Sequence, residues 1–269
     1  MTNILAWQSV PPTSLAERLE HHEIVAFAPC PFALPQGDAR QLLLTQPSAP
    51  QATPIANTFA AEASAWLAHL LPAYARNWRP GQASVRAEEQ ATRKMWHDER
   101  DDLLHIDTLP ARPTQGHRVL KLFVNLHPTE PRVWAKSESF ADVLDRYGNA
   151  LKDGDPIGRW ARRCRQRLWS WLHPSEKPPS EYDDFMMRLR RCLRDNDEFQ
   201  EKARRKFEHF APGAAWLAFT DGFCHADLRG QFLLEQSFLV APQDLLFPEL
   251  APVNLWSGKR SSSAPAQAA

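Results

Sequence analysis

Residues 103–126, LLHIDTLPARPTQGHRVLKLFVNL, decide the fold, because their short apolar runs are separated by Pro, Gly, Asp and Asn. Such runs between turn residues are typical of β-strands. The run RVLKLFVNL, residues 118–126, predicts a strand that is buried mostly on one face. The same texture occurs in ASVRA and PRVWAK nearby, and again across residues 214–240. We therefore expect a β core over about 80–136 and 214–241.

Helical signals flank and interrupt these β segments. Residues 11–20 predict a short helix with a Ser or Thr cap, and residues 60–76 predict a longer one that Pro72 kinks or ends. The Pro-rich stretch 45–57 predicts a connecting loop, and residues 137–210 predict a helical insertion. The fold class is therefore α+β: a sandwich or barrel with bracing helices and an insertion between its middle strands.

Composition limits the kinds of protein that this chain can be. The 269 residues predict a single domain over 1–258, followed by a disordered tail at 259–269. The 32 basic and 32 acidic residues cancel, which argues against a general nucleic-acid binder. The four cysteines form no CxxC pair, and no apolar run is long enough to cross a membrane. These features predict a cytoplasmic protein.

The segment His105-Ile106-Asp107 carries the clearest chemical signal. On a strand, alternate side chains share one face, so His105 and Asp107 project together while Ile106 points the other way. A second imidazole would complete the 2-His-1-carboxylate triad that binds non-haem Fe(II) and leaves positions open for a co-substrate and dioxygen. The alternative interpretation is an ordinary hydrogen-bonded His–Asp pair.

His225 is the best candidate for the missing imidazole, because it lies in β texture between AAWLAF and QFLLEQSFLV. A helical insertion between two ligand strands is tolerated, since it replaces a surface loop. The other histidines lie on predicted helices, at helix ends or at turns. A buried or turn histidine without a ligand role is the competing interpretation of His225.

An iron site of this type usually takes 2-oxoglutarate, whose far carboxylate needs a cation, and Arg binds carboxylates bidentately. A common pattern places this Arg about ten residues after the distal histidine, but Glu235 occupies that position here. Other basic residues on β texture are candidates, although each is also explained as a solvated surface charge. They are Arg86, Arg118, Lys121, Arg132 and Arg229.

Residues 84–140 and 214–240 resemble the Kdo 3-hydroxylases, which act on Kdo, the eight-carbon acidic sugar of the lipopolysaccharide inner core. The motifs HID, RPTQG-x-R, NLHP-x-x-PRVW and FTD…H…GQ…LEQ-F occur in the family's order. The resemblance extends over roughly 60–255. The chain departs from the family at Cys224, where Ser is usual, and at residues 226–229, ADLR, where small residues are common. The second departure adds charge near the expected site mouth.

The resemblance implies an Fe(II)- and 2-oxoglutarate-dependent dioxygenase with a double-stranded β-helix core, a jelly-roll or cupin-like fold. His105, Asp107 and His225 match its iron ligands. The basic positions that match the family are Arg86, Arg118, Lys121 and Arg132. The resemblance implies that one of these residues binds the far carboxylate of 2-oxoglutarate. The implied reaction uses dioxygen to hydroxylate carbon 3 of Kdo in Kdo-lipid A, giving Ko. The alternatives are a 2-oxoglutarate oxygenase with another substrate and a cupin-like sugar-acid binding protein without redox chemistry.

The segment DPIGRWARRCRQRLWSWL, residues 155–172, predicts a basic amphipathic helix rich in Trp. Residues 152–206 contain 15 Lys and Arg against 10 Asp and Glu. Such a helix either packs its apolar stripe onto the β core or rests on an anionic membrane. With the resemblance, we expect Arg162 and Arg163 to contact lipid A phosphates or the inner leaflet, with Arg229 near the site mouth. The protein would then be cytoplasmic and peripheral on the inner membrane.

Overall fold

The β-strands form two sheets with an apolar layer between them. The computed structural model describes residues 4–5, 11–46, 52–86, 100–110, 112–151, 156–174 and 177–262. The strands are β1 (Ile4–Leu5), β2 (Val25–Phe27), β3 (Arg79–Pro80), β4 (Ser84–Arg86), β5 (Arg118–Asn125), β6 (Arg132–Ser139), β7 (Lys206–Phe210), β8 (Ala215–Phe219), β9 (Phe223–Arg229) and β10 (Leu233–Val240). The larger sheet has the order β1-β2-β8-β5-β10-β3, with β4 also paired to β10, and the smaller sheet has the order β7-β6-β9. The strand pairs are antiparallel except for β1 with β2.

Aromatic side chains from both sheets fill the space between them. Phe123 on β5 and Trp216 on β8 meet Trp134 on β6 and Phe210 on β7. The Phe210 and Trp216 rings stack with centroids 3.9 Å apart, and Phe123 meets Trp134 edge-on at 4.7 Å. Burying such large apolar surfaces and pairing the rings in these geometries stabilises the contact between the sheets.

The helices cover the outer faces of the two sheets. They are α1 (Pro12–Glu20), α2 (Gly37–Thr45), α3 (Ala52–Leu70), α4 (Pro72–Ala75), α5 (Phe140–Tyr147), α6 (Pro156–Leu172), α7 (Glu181–Arg194), α8 (Asp197–Lys202) and α9 (Pro252–Ser262). Leu15 on α1 and Leu67 on α3 share a core with Leu122 of the larger sheet. Phe140 on α5 and Leu189 on α7 belong to a second core, on the smaller sheet. No helix within the described ranges is long and apolar enough to cross a membrane.

Strand β5 is buried on both faces, whereas the sequence predicts burial mostly on one. Leu120, Leu122 and Val124 share the core with α1 and α3. Phe123, on the opposite face, belongs to the layer between the sheets, and Lys121 is buried on that face too. A central strand covered by helices on one side and by a second sheet on the other has no solvent-facing side.

The helical insertion lies between β6 and β7, but it is shorter than expected. Strand β6 continues to Ser139, and residues 206–210 form β7 instead of ending a helix. These residues pair with Arg132–Lys136 on β6. Tertiary pairing therefore overrides the helical pattern of this charged segment.

Three smaller expectations were wrong. The loop expected at 45–57 is partly helical, because α3 begins at Ala52, and Pro54 in its first turn leaves no hydrogen bond unmade. Helix α1 begins after Pro11 with no side-chain cap. Helix α9 continues to Ser262, into the expected tail, while residues 263–269 lie outside the described residues.

Candidate metal centre

Backbone pairing brings the two halves of the predicted triad together. His105 and His225 exchange hydrogen bonds between their backbone N–H and C=O groups, at 3.0 and 2.9 Å. The Asp107 N–H then donates to the Thr220 carbonyl at 3.0 Å. His105 therefore lies in an isolated bridge beside β9, not in the regular strand that the sequence predicts. Ile106 still points to the opposite side, into the core of the smaller sheet, as predicted.

The three side chains converge as a potential metal-binding group. One ligand atom each from His105, Asp107 and His225 lies within 4.8 Å of the others, and all three residues are buried. His105 Nε2 lies 3.5 Å from Asp107 Oδ1, and His225 Nε2 lies 3.8 Å from Asp107 Oδ2. The carboxylate thus faces both imidazoles at separations that leave room for an ion.

Hydrogen bonds on the far side of each imidazole orient its ligand nitrogen. His105 Nδ1 lies 2.8 Å from the Leu103 carbonyl, and His225 Nδ1 lies 3.3 Å from the Phe223 carbonyl. Because a carbonyl only accepts hydrogen bonds, each Nδ1 carries the proton and each Nε2 presents a lone pair. This arrangement is typical of metal-bound histidines.

Electrostatics keep all three ligands in the metal-binding protonation state. Burial lowers the pKa of His225 to about 3 and also lowers that of His105, so both imidazoles stay neutral. Burial alone would raise the pKa of Asp107, but the Lys121 ammonium and then His105 bring it well below its usual value. Asp107 is buried, and its Oδ2 lies 2.8 Å from Lys121 Nζ. The residues therefore fit a divalent metal ion.

Arg86 and Lys121 are the predicted cations that lie at this centre. Both line a small cavity of about 20 Å³ beside the triad and a neighbouring cavity of about 400 Å³. Arg86 Nη2 donates to both carboxylate oxygens of Glu235, each at 2.9 Å. Glu235, which stands where the common pattern has Arg, thus holds a cation supplied by the neighbouring strand β4.

The other predicted cations have different surroundings. Arg132 binds Asp227 through two of its nitrogens, and Asp227 itself lines the small cavity. Arg118 is fully buried against Asp221, with Nε 3.1 Å from the carboxylate, and it lines neither cavity. Asp227 is therefore a buried charge beside the triad that is neutralised by its ion pair with Arg132.

Two of the residues assigned to substrate or membrane contact, Arg163 and Arg229, are exposed. Arg229 is 65% exposed and pairs with Glu130 at 3.2 Å. Arg163 is exposed on α6. The side chain of Arg162 lies outside the described residues.

Three charged residues at the centre were missed by the sequence reasoning. Asp101 Oδ1 accepts hydrogen bonds from Arg190 and Arg194 of α7, and it lies 3.5 Å from His105 Nε2. Arg86 Nη1 donates to the other oxygen of the Asp101 carboxylate at 2.6 Å. Arg190 and Arg194 are one helical turn apart, so the sequence indicates that they share a helix face. It does not indicate which part of the fold that face contacts.

A buried 2-His-1-carboxylate group between two largely antiparallel sheets defines the class: a protein that can hold one metal ion with coordination positions open. The chain belongs to the 3-deoxy-D-manno-oct-2-ulosonic acid (Kdo) hydroxylase family, whose model matches residues 45–258. A search of curated proteins finds no match.

Solved structures agree with this assignment. The apo structure of the Kdo hydroxylase KdoO, a non-heme Fe(II) alphaketoglutarate dependent dioxygenase, has a TM-score of 0.81 at 24% identity, covering 99% of this chain and 96% of that chain. The same hydroxylase in complex with alphaketoglutarate and Fe(III) has a TM-score of 0.81 at 25% identity, with the same coverage. Its cobalt(II) complex has a TM-score of 0.82 at 24% identity, covering 100% of this chain and 95% of that chain.

Proposed function

We propose that this chain is an Fe(II)- and 2-oxoglutarate-dependent dioxygenase that hydroxylates carbon 3 of Kdo in a Kdo-lipid A glycolipid. The observation that carries the proposal is the convergence of His105, Asp107 and His225, in a chain of the Kdo hydroxylase family. We regard the two facing sheets as a double-stranded β-helix, with the bridge at His105 extending the smaller sheet beside β9.

The residues of the centre perform distinct tasks. His105 and His225 offer neutral Nε2 atoms and Asp107 offers an anionic oxygen, and together these three side chains would hold Fe(II). Bound Fe(II) supplies the redox chemistry that couples decarboxylation of 2-oxoglutarate to insertion of one oxygen atom from dioxygen. Arg86 and Lys121 bind the far carboxylate of 2-oxoglutarate. Arg132 does not line the cavity itself, but it holds in place the Asp227 carboxylate, which does.

An anaerobic titration tests both the proposal and its alternatives. The Fe(II)-loaded protein should develop a charge-transfer absorption with 2-oxoglutarate, and admission of oxygen should release succinate faster when Kdo-lipid A is present. Absence of the absorption would favour a sugar-acid binding protein. Succinate release unaffected by Kdo-lipid A would favour another substrate.

Variants of the triad test the metal centre itself. We expect His105→Ala or Asp107→Ala to abolish turnover while the protein stays folded, because each removes a ligand of the triad. The matched control is His209→Ala, which removes an exposed imidazole from β7 and should keep full activity. Turnover by either triad variant would contradict the iron-site argument.

We also propose that the protein rests on the cytoplasmic face of the inner membrane through α6. Leu168 and Leu172 are each 55% exposed and Trp171 is 77% exposed, and Arg163 and Arg167 are exposed on the same helix. Exposed Leu and Trp beside arginines match the pattern of an interfacial helix on anionic lipid.

Flotation with anionic vesicles tests this location. Wild-type protein should float, while Trp171→Ser combined with Arg163→Glu should remain at the bottom of the gradient. Phe207→Ser is the matched control, because Phe207 is 52% exposed but lies on β7. Wild-type protein that does not float, or equal flotation of the α6 variant, would refute the membrane contact.

A further inference from the structure

Helix α7 carries two arginines from the helical insertion to the edge of the metal centre. Arg190 Nη1 lies 3.7 Å from Asp107 Oδ1 and donates to the Thr108 carbonyl at 3.4 Å. Arg194 lies one turn further along the helix, and its side chain is only 1% exposed. Both arginines line the cavity of about 400 Å³ that opens at Asp107.

These two arginines already hold a carboxylate beside the metal ligands. The Asp101 carboxylate accepts from Arg190 at 3.2 Å and from Arg194 at 2.9 Å. The same Asp101 oxygen lies 3.5 Å from His105 Nε2. The cavity therefore contains a carboxylate position that is defined by the buried guanidinium of Arg194 and the largely buried one of Arg190, and that lies next to the triad.

We propose that Arg190 and Arg194 bind the carboxylate of the sugar-acid substrate, which takes the place of the Asp101 side chain. The inference rests on the proposed function. In an oct-2-ulosonic acid the carboxyl carbon is two bonds away from carbon 3, so a substrate with carbon 3 at the metal has its carboxylate nearby as well. Arg86 and Lys121 serve the co-substrate, which leaves the α7 arginines for the second anion. Holding that carboxylate orients one C–H bond toward the metal.

Steady-state kinetics of Arg190→Gln provide the first test. Because the change removes a charge-assisted contact with the substrate, we expect KM for Kdo-lipid A to rise by about tenfold or more. The anaerobic 2-oxoglutarate absorption should not change, since Arg86 and Lys121 are intact. Arg204→Gln is the matched control, because Arg204 belongs to the same insertion and is exposed. Arg190 is preferred over Arg194 because its side chain is 14% exposed and its loss disturbs the fold less.

A modified substrate provides the second test. Wild-type protein should prefer Kdo-lipid A to the same glycolipid with its Kdo carboxylate converted to a methyl ester, and Arg190→Gln should lose that preference. The inference is overturned if the wild type turns over the ester equally well, or if Arg190→Gln weakens 2-oxoglutarate binding and leaves KM unchanged. If the wild type binds 2-oxoglutarate but does not act on Kdo-lipid A at all, the proposed function fails first.

Discussion

Exchanging Arg86 and Glu235 moves the cation that we propose for 2-oxoglutarate from β4 to β10 and keeps the net charge of the pair. The two strands are neighbours, and Arg86 donates to both oxygens of Glu235 at 2.9 Å. The double variant, Arg86→Glu with Glu235→Arg, puts the arginine where the common pattern of such oxygenases has it. If a cation on either strand can serve the same carboxylate, the double variant should recover what the single variant Arg86→Glu loses.

The structure sets the size of the expected effects. The side chains of Arg86 and Glu235 are 22% and 16% exposed, so most of the pair is out of water. Breaking a buried pair from one side costs about 3–5 kcal/mol. Arg86→Glu also leaves the carboxylates of Asp101 and Glu235 beside a third one. We expect it to lower the free energy of unfolding by about 3–5 kcal/mol and to weaken 2-oxoglutarate binding by about 100-fold.

Two measurements separate stability from binding. Urea unfolding measures the free energy of unfolding of each variant. Anaerobic titration of the Fe(II)-loaded protein with 2-oxoglutarate measures the affinity of each variant for the co-substrate. The double variant should recover only part of the stability, because the glutamate introduced at position 86 still faces Asp101, and it should bind 2-oxoglutarate within about tenfold of the wild type. Unchanged affinity in Arg86→Glu would show that Arg86 is not the anchor. If the double variant recovers stability but does not bind 2-oxoglutarate, the cation must come from β4.

Two further predictions concern residues outside the metal centre. Burial, and then the charge of Arg118, lower the pKa of His22 from 6.5 to about 3. The unfolded chain therefore takes up a proton below pH 6.5 that folded His22 does not bind, so His22 alone should lower the free energy of unfolding by up to about 1.4 kcal/mol per pH unit as pH drops from 6.5 toward 3, in addition to the contributions of His105 and His225. His22→Asn, which suits the positive φ of 65° at this position, should flatten that slope in urea unfolding between pH 6.5 and 4.5, and an unchanged slope would contradict the assignment. Gly222→Ala should destabilise the fold by about 1–3 kcal/mol, because its Cβ would lie 2.4 Å from His22 Nδ1 and 2.6 Å from buried Arg118. Since Gly222 immediately precedes β9, the same variant should weaken Fe(II) binding at His225, and thermal unfolding with and without Fe(II) checks both effects.

The sequence was sufficient for the triad because local geometry and motif order pointed to the same residues. His105 and Asp107 are separated by one residue, so an extended backbone puts them on one side whether or not a regular strand forms. Their convergence with His225 is confirmed, and Ile106 faces the opposite core as predicted.

The ion pairs could not be predicted from the sequence, because they depend on which distant elements pack together. Arg118, Arg132 and Arg86 are alike as basic residues on β-strands. In the fold, Arg118 meets Asp221 and Arg132 meets Asp227, so only Arg86 among these three lines the cavities. The order of charged residues along the chain does not specify which of them form these pairs.

The sequence by itself determined the strand-rich core, the helical insertion and the three residues that converge as a potential metal-binding group, because each follows from periodicity or from motifs over short stretches. Only the tertiary structure decided what surrounds those three residues. It showed that Glu235, which stands where the common pattern has Arg, is the ion-pair partner of Arg86. It also showed that Arg190 and Arg194 of the insertion contact Asp101. The physical reason is that burial and pairing of charges are set by contacts between residues far apart in sequence, which no local pattern specifies.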